Sequence, residues 1–487
     1  MNKINILCDD IAVQEIVKKA FIRSFNNLVV SDKNNIDNRD INVIINPKEK
    51  ITIKGKVIVF GKIDTAIFNI IEKNKNSVDE IIQNSNKGYR HSNLYIKYKN
   101  NENKRYFSRY DFADEWNNAG YGKIDGFFKS IYSISMKTTQ SEYSIASIYN
   151  EYNEFISEYA CRKDDFQGSI LWFNREIGPI DSFEWSIIED FVSNYRADDL
   201  ICLPYILEIP AEYDSLVTMR LDCDQDVSSA RKLCEMYFDE KVPMTLALNT
   251  SIVKKKEDFD LINKVILNNG ALVSHSQNHF PNWGGSYLEA KLEALGSRFW
   301  IENNILKKKR LKYAISPFHQ NPPYAVQAMR DSGYKGFVGG IIHNDPEFLM
   351  SRAGVVPFVE NIVSLSQQCM LHGDCYHSYG NSIDVYKETY DKYLLNNGIF
   401  GYLDHPFSKE YQYGWSSEDE RINVHQHLIK YIKNRTDNVL FWNIEQVLDW
   451  ILKKGKAKLF IKNEKIVVKK EKDLFYKINL KNDIKIV

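Results

Sequence analysis

The order of elements over residues 205–452 predicts an α/β fold built on a parallel sheet that is closed, or nearly closed, into a barrel. Three observations predict it. Short apolar runs of strand length recur through this stretch. Most are followed by a run with apolar residues at helical spacing. Two clusters of polar, chemistry-bearing residues fall just after predicted strands, where such folds gather their reactive groups.

In chain order, the pattern predicts a strand over 217–221 and a helix over 227–237, then a strand over 244–248 and a helix over 259–267. Gly270 supplies the residue that ends that helix in a left-handed conformation. A strand over 271–273, a helix over 287–306 and a strand over 313–315 follow. A helix over 324–331 stops at Gly333, and strands are expected over 336–338 and 399–403. Outside this region, residues 1–80 alternate apolar runs (4–8, 13–25, 43–45, 57–60, 63–71) as a small α/β, Rossmann-like domain. It has no Gly-x-Gly-x-x-Gly turn, so a scaffold or docking role suits it better than nucleotide binding. Residues 81–204 are aromatic and polar (Tyr89, Tyr95, Tyr98, Tyr106, Phe107, Tyr110, Phe112, Trp116), and their weak periodicity supports only helices joined by loops. The tail, 453–487, alternates Lys or Asn with apolar residues at a period of two, which predicts a small β appendage.

Composition narrows the function classes. The chain has 487 residues, 44% hydrophobic and 26% charged, and its 64 Lys and Arg balance its 64 Asp and Glu. With no net field, a nucleic-acid partner is not expected. Seven scattered cysteines without a Cys-x-x-Cys pair suit free thiols in a reducing compartment. No apolar run of about 18 residues occurs, and the first ten residues meet Asp9 and Asp10 before a signal-type core can form. A cytoplasmic protein without a transmembrane segment is expected; a homo-oligomer is open.

Arg220-Leu221-Asp222-Cys223-Asp224 closes the first predicted strand, and His275-Ser276-Gln277-Asn278-His279 follows the third. In extended chain Arg220, Asp222 and Asp224 point to one side. Adjacent carboxylates there are comfortable only beside a cation. His275 and His279, four apart, can reach one ion whether the turn is helical or not; in isolation they also read as two loop histidines. Asp226 reads as the cap of the helix beginning at 227. A zinc peptidase of the His-Glu-x-x-His kind is disfavoured, because Ser276 stands where its base should be. Two imidazoles and a carboxylate suit Zn²⁺ first, with Co²⁺, Ni²⁺ or Fe²⁺ also compatible.

These runs, a Pro-containing loop after a further strand (Ser316-Pro317-Phe318-His319) and a late His in Gly401-Tyr402-Leu403-Asp404-His405-Pro406-Phe407 resemble the NodB-type polysaccharide deacetylase family over about 205–452. The resemblance implies a distorted (β/α) barrel that removes acetyl groups from amino sugars with a divalent metal. It implies Asp222 as general base, Asp224, His275 and His279 as metal ligands, and His405 as the acid that protonates the leaving amine. Because the family's adjacent Asp-Asp is spaced here by Cys223, the two aspartate roles are exchangeable at this stage. The family's loop arginine, which holds the base, is missing, and Arg220 is expected to substitute for it. The segment Gln368-Cys369-Met370-Leu371-His372-Gly373-Asp374-Cys375-Tyr376-His377 has no counterpart in the family and reads equally as a polar-ligand site or a structured loop.

Phe280, Trp283, Phe318, His319, Tyr324, Phe407 and Trp415 cluster near the expected mouth and suit stacking on sugar faces; core packing uses the same residue types. Among them Trp283, Phe318 and His319 are the expected substrate contacts. Without an export signal, the resemblance points to an N-acetylated sugar, nucleotide-linked, lipid-linked or in an oligosaccharide, used in building a bacterial surface polysaccharide. The run Leu171-Trp172-Phe173-Asn174-Arg175-Glu176-Ile177-Gly178-Pro179-Ile180-Asp181-Ser182 resembles a feature of deacetylase-like proteins of capsule and O-antigen pathways. Two other readings remain: a catalytically inactive sugar-binding or assembly scaffold, suggested by the missing loop arginine, and hydrolysis of an O-acyl ester or cyclic amide.

Overall fold

In a computed structural model of the chain, the described residues are 2–31, 39–73, 94–99, 105–106, 134–175, 182–307, 309–339, 352–366, 369–462, 465–471 and 474–487. Tyr89, Phe107, Tyr110, Phe112, Trp116, residues 176–181 and Gln368 lie outside them. The chain divides into two units, one drawn from within 1–110, 125–207 and 457–487, the other from 208–456.

The first unit is built on a nine-stranded sheet in the order β2-β1-β3-β4-β9-β8-β7-β5-β6. Its strands are β1 (Ile4–Leu7), β2 (Val29–Ser31), β3 (Ile41–Ile45), β4 (Gly55–Phe60), β5 (Leu94–Tyr98), β6 (Arg105–Tyr106), β7 (Ser144–Asn150), β8 (Phe155–Asp164) and β9 (Gly168–Phe173). The half from β2 to β9 pairs in parallel, as the α/β pattern of the first eighty residues predicts. Asp10 caps the helix Ile11–Phe25 by accepting the N–H groups of Ala12 and Val13. The other half is antiparallel and corrects the expectation of helices and loops over 81–204. Alternation is hidden there because polar side chains face inward and satisfy one another. Buried Glu158 accepts from Ser147 at 2.8 Å and from the Ser141 N–H at 2.7 Å. Among the described residues, the helix Ser182–Ser193 follows the expected type. The tail of the chain forms two antiparallel hairpins, Lys458–Lys462 with Lys465–Lys469 and Tyr476–Leu480 with Asp483–Ile486.

After β10 (Tyr205–Pro210), the second unit carries a ten-stranded sheet. Its strands are β11 (Ser215–Cys223), β12 (Thr245–Leu248), β13 (Ala271–Ser274), β14 (Tyr313–Ile315), β15 (Gly336–Gly339), β16 (Gly354–Val355), β17 (Val363–Ser366), β18 (Cys369–Met370), β19 (Ile399–Asp404) and β20 (Val439–Phe441). The order is β16-β17-β15-β14-β13-β12-β11-β19-β18, with β20 also on β11. Every recorded pair is parallel except β16 with β17.

The predicted strands and helices therefore stand within a few residues of their expected bounds, and the sheet is the parallel one expected. A closed barrel is not seen among the described residues: the ladder begins at β16 and ends at β18, and the antiparallel β16 interrupts the strand-helix repeat at one edge. All seven cysteines are free. No helix among the described residues is long and apolar enough to cross a membrane.

Register sets up the site. β11 lies between β12 and β19, with Asp222 opposite Ala247 and Leu221 opposite Asp404. The ends of β11, β13, β14 and β19 therefore open onto one edge of the sheet. Beneath that edge Met219, Leu221, Leu246, Leu248, Phe337 and Phe400 form the buried core.

Candidate metal centre and active site

One cavity of about 800 Å³ lies over these strand ends, lined by Asp222, Asp224, His275, His279, His319, Phe318 and His405 among others. Asp224 Oδ1 lies 3.2 Å from His275 Nε2 and 3.3 Å from His279 Nε2, and the two Nε2 atoms are 3.0 Å apart. The three predicted ligands thus present one donor atom each to a common point.

A divalent ion fits this donor set on the chain's own evidence. Asp224 Oδ1 is buried against the two Nε2 atoms, an acceptor that an ion between them would satisfy. His275 Nδ1 lies 3.1 Å from the Ile315 carbonyl, which can only accept, so Nδ1 carries a proton and Nε2 is the nitrogen turned toward the ion site. Burial and the neighbouring His275 lower His279 to about 4, so it is a neutral donor at neutral pH, whereas Asp222 and Asp224 raise His275 against the effect of its burial, and an ion at this point would take the place of its Nε2 proton.

The loop that carries the histidines is built by a residue outside the motif. Glu293, from the helix Tyr287–Asn304, accepts the N–H groups of Gln277 at 3.0 Å and Asn278 at 2.7 Å, and the Asn278 side-chain amide at 2.6 Å. Ser276 Oγ accepts the His279 N–H at 2.8 Å. Gly296 on the same helix lies under the Gln277 side chain: a Cβ there would sit 1.6 Å from Gln277 Oε1, so that side chain would have to move.

Asp222 is the aspartate that does not join the trio. Arg220 Nε and Nη2 donate to its two oxygens at 2.8 and 3.1 Å, with both side chains almost wholly buried. Burial alone would raise both carboxyls. Arg220 and His275 overcome this for Asp222 and hold it well below the ordinary carboxylate range. For Asp224 the bond to His275 and the charges of His405 and His275 do so, and it is held at about 2.

His405 sits on the opposite wall with Nε2 3.7 Å from Asp224 Oδ2, and its Nδ1 is buried without a partner. Asp404 does not hold the ring. Its carboxylate accepts the backbone N–H of His405 at 2.7 Å and lies 2.9 Å from His425 Nε2, while Arg421 donates to the His405 carbonyl. Behind them His425 Nδ1, Tyr237 and Tyr402 continue a buried hydrogen-bonded chain.

The predicted substrate contacts divide. Phe318 (46% exposed) and His319 line the cavity, and burial followed by the charge of Arg220 lowers His319 to about 3. Trp283 is corrected: it is 0% exposed within the hydrophobic core, where its large ring fills the space under the loop and has no face free for a sugar. Trp415 is likewise core.

Tyr413, Gln225, Asn249, Asn278, Gln320 and His372 line the cavity without having been singled out as site residues by their spacing. One sign of the site was invisible in the sequence. Ser276, His279, Trp283, Phe318, His319 and Tyr413 all have positive φ, from +52° to +62°. Such backbone costs on the order of 1–3 kcal/mol per residue and gathers where function over-determines it.

No family model matches the chain. No curated protein matches it either. Among solved structures, it is similar to Agd3, described as a novel carbohydrate deacetylase, at 9% identity and a TM-score of 0.39, over 98% of this chain and 91% of that one. It is also similar to the peptidoglycan deacetylase PdaC from Bacillus subtilis (11% identity, TM-score 0.32, 50% of this chain and 93% of that one). A family 4 acetyl xylan esterase from Clostridium thermocellum in complex with a cobalt ion is similar at 13% identity and a TM-score of 0.32, over 48% of this chain and 91% of that one. Likenesses of this size leave the reading of the site to its own geometry.

Proposed function

We propose that this chain is a metal-dependent N-deacetylase that hydrolyses the acetamide of an N-acetylated sugar, acting in the assembly of a bacterial surface polysaccharide. The observation that carries the reading is the convergence of Asp224, His275 and His279 on one point, with Asp222 and His405 on the walls of the same cavity. A divalent ion held by the trio supplies Lewis acidity toward the amide carbonyl and the attacking water. Asp222, kept ionised and oriented by Arg220, takes the proton of that water. His405 delivers a proton to the departing nitrogen, which is too poor a leaving group as an anion. The distances favour Asp224 as ligand and Asp222 as base rather than the reverse.

The scaffold reading rested on the missing loop arginine. The bidentate Arg220–Asp222 pair supplies an equivalent hold, so catalysis is the reading we adopt. Amide, hydroxyl, imidazole and aromatic groups line the cavity, and no lysine or arginine does so among the described residues. That chemistry suits an uncharged N-acetylated oligosaccharide better than a sugar on a diphosphate carrier. A cytoplasmic location belongs to the same proposal, and cell fractionation tests it.

The decisive assay measures acetate released from an N-acetylated sugar oligomer by metal-loaded protein, beside its O-acetylated counterpart and a nucleotide-linked monomer. Release from the N-acetyl oligomer, lost in His275→Ala, supports the proposal. Glycan binding with equal background release by both proteins sinks it in favour of the scaffold.

A further inference from the structure

We propose that Tyr413 is a positioning residue of the metal centre and that the segment Leu371–Asp374, unexplained by its sequence, exists to hold it. This rests on reading Asp224, His275 and His279 as a divalent-ion site.

The carboxylate of Asp224 has two oxygens with different duties. Oδ1 faces both imidazoles. Oδ2 accepts from the Tyr413 hydroxyl at 3.1 Å, and the same hydroxyl lies 3.0 Å from Gln225 Oε1. A hydrogen bond to one oxygen fixes the rotation of the carboxylate, and so fixes where the other points. Partners of this kind, one step behind a metal ligand, commonly contribute 10- to 100-fold to ion affinity. The Tyr413 ring does a second job: it lies parallel to the His405 imidazole, 3.9 Å between centroids and 9° between planes. One side chain therefore orients a ligand through its hydroxyl and the expected general acid through its face.

Tyr413 needs external support, because its backbone has φ +52°, which costs a non-glycine residue free energy. The support comes from the segment after β18. The Gly373 N–H donates to the Tyr413 carbonyl at 2.9 Å, and a Cβ on Gly373 would lie 2.0 Å from the Gly414 carbonyl carbon. A Cβ on Gly414, at φ +74°, would lie 2.5 Å from the backbone nitrogen of Asp374. His372 caps the helix Gly373–Ser378 by accepting the Asp374 N–H through Nδ1, and its ring stands edge-on to Tyr413 at 6.3 Å. Two glycines in contact let the two loops interlock at a distance no other residue pair allows.

The test is a zinc titration of chelator-stripped full-length protein against a competing chromophoric chelator, with the melting temperature of each apo-protein measured in parallel. Tyr413→Phe, which keeps the ring and loses only the hydroxyl, is expected to raise the zinc dissociation constant 10- to 100-fold while the apo melting temperature stays that of the parent. Tyr413→Leu, a second variant without the donor, is expected to lose at least as much affinity. If the Phe and Leu variants bind zinc as tightly as the parent while His275→Ala does not bind it, the role of Tyr413 is overturned and the metal reading stands. If the parent binds no zinc, cobalt or nickel, both fall together.

Discussion

Two buried arginines divide the work around the reacting groups: Arg220 grips the Asp222 carboxylate, and Arg421 grips the backbone of His405. Arg220→Ala leaves a buried carboxylate without its cation, which costs on the order of 3–5 kcal/mol. The expected outcome is a matching loss in urea-unfolding free energy and a fall of about 100-fold in acetate release through misplacement of Asp222. Arg220→Lys recovers charge but not the two-pronged hold, so it is expected to restore stability more than rate. An unchanged rate in Arg220→Ala, with activity abolished in Asp222→Ala, sinks the role given to Arg220.

Asp404 gives a pH dependence. Burial would raise its carboxyl, but the bond to His425 and the charge of Arg421 hold it below the ordinary value. A depressed carboxyl stabilises the fold above its unfolded pKa of about 3.9, and that contribution is lost as pH falls through the lower folded value. Asp404→Asn is therefore expected to be less stable near neutrality and to show a shallower acid limb when urea midpoints are followed below about pH 4.

At the scale of elements, the histidine loop depends on one carboxylate of a neighbouring helix. Glu293→Ala strands two backbone N–H groups and an amide, an expected cost of about 2–3 kcal/mol, and hydrogen exchange of Gln277 and Asn278 should quicken while β4 and β9 of the other unit are unaffected. Trp283 and Phe318 make a discriminating pair. Trp283→Ala is expected to cost about 3–5 kcal/mol in stability. Phe318→Ala, at an exposed cavity residue, should leave stability within about 0.5 kcal/mol and raise KM. The reverse pattern would return Trp283 to the substrate. Most of the second unit's rhythm was legible because its central parallel strands, β11 to β15 and β19, are buried on both faces and read as apolar runs. The antiparallel half of the first sheet was not, since Ser144, Ser147 and Glu158 are buried and pair with one another while buried Ser157 pairs with Thr138, erasing the period of two.

For the whole molecule, ion binding should couple to stability within the second unit. Metal at about 100 times its dissociation constant is expected to add about 2.7 kcal/mol, removed by a chelator and absent in His275→Ala. A thermal scan with and without zinc reads this directly.

By itself the sequence determined the strand-helix order, the parallel pairing and the candidates for an ion site, because each is written in local residue pattern: apolar runs of fixed length, two acids on one strand face, two histidines four apart. Only the tertiary structure decided that Glu293 builds the histidine loop, that Trp283 is core, and that Tyr413 stands behind Asp224. Those facts join residues far apart in the chain, and what brings them together is the register of β11 against β12 and β19 and the close approach of Gly373 to Gly414. No periodicity records a contact of that kind.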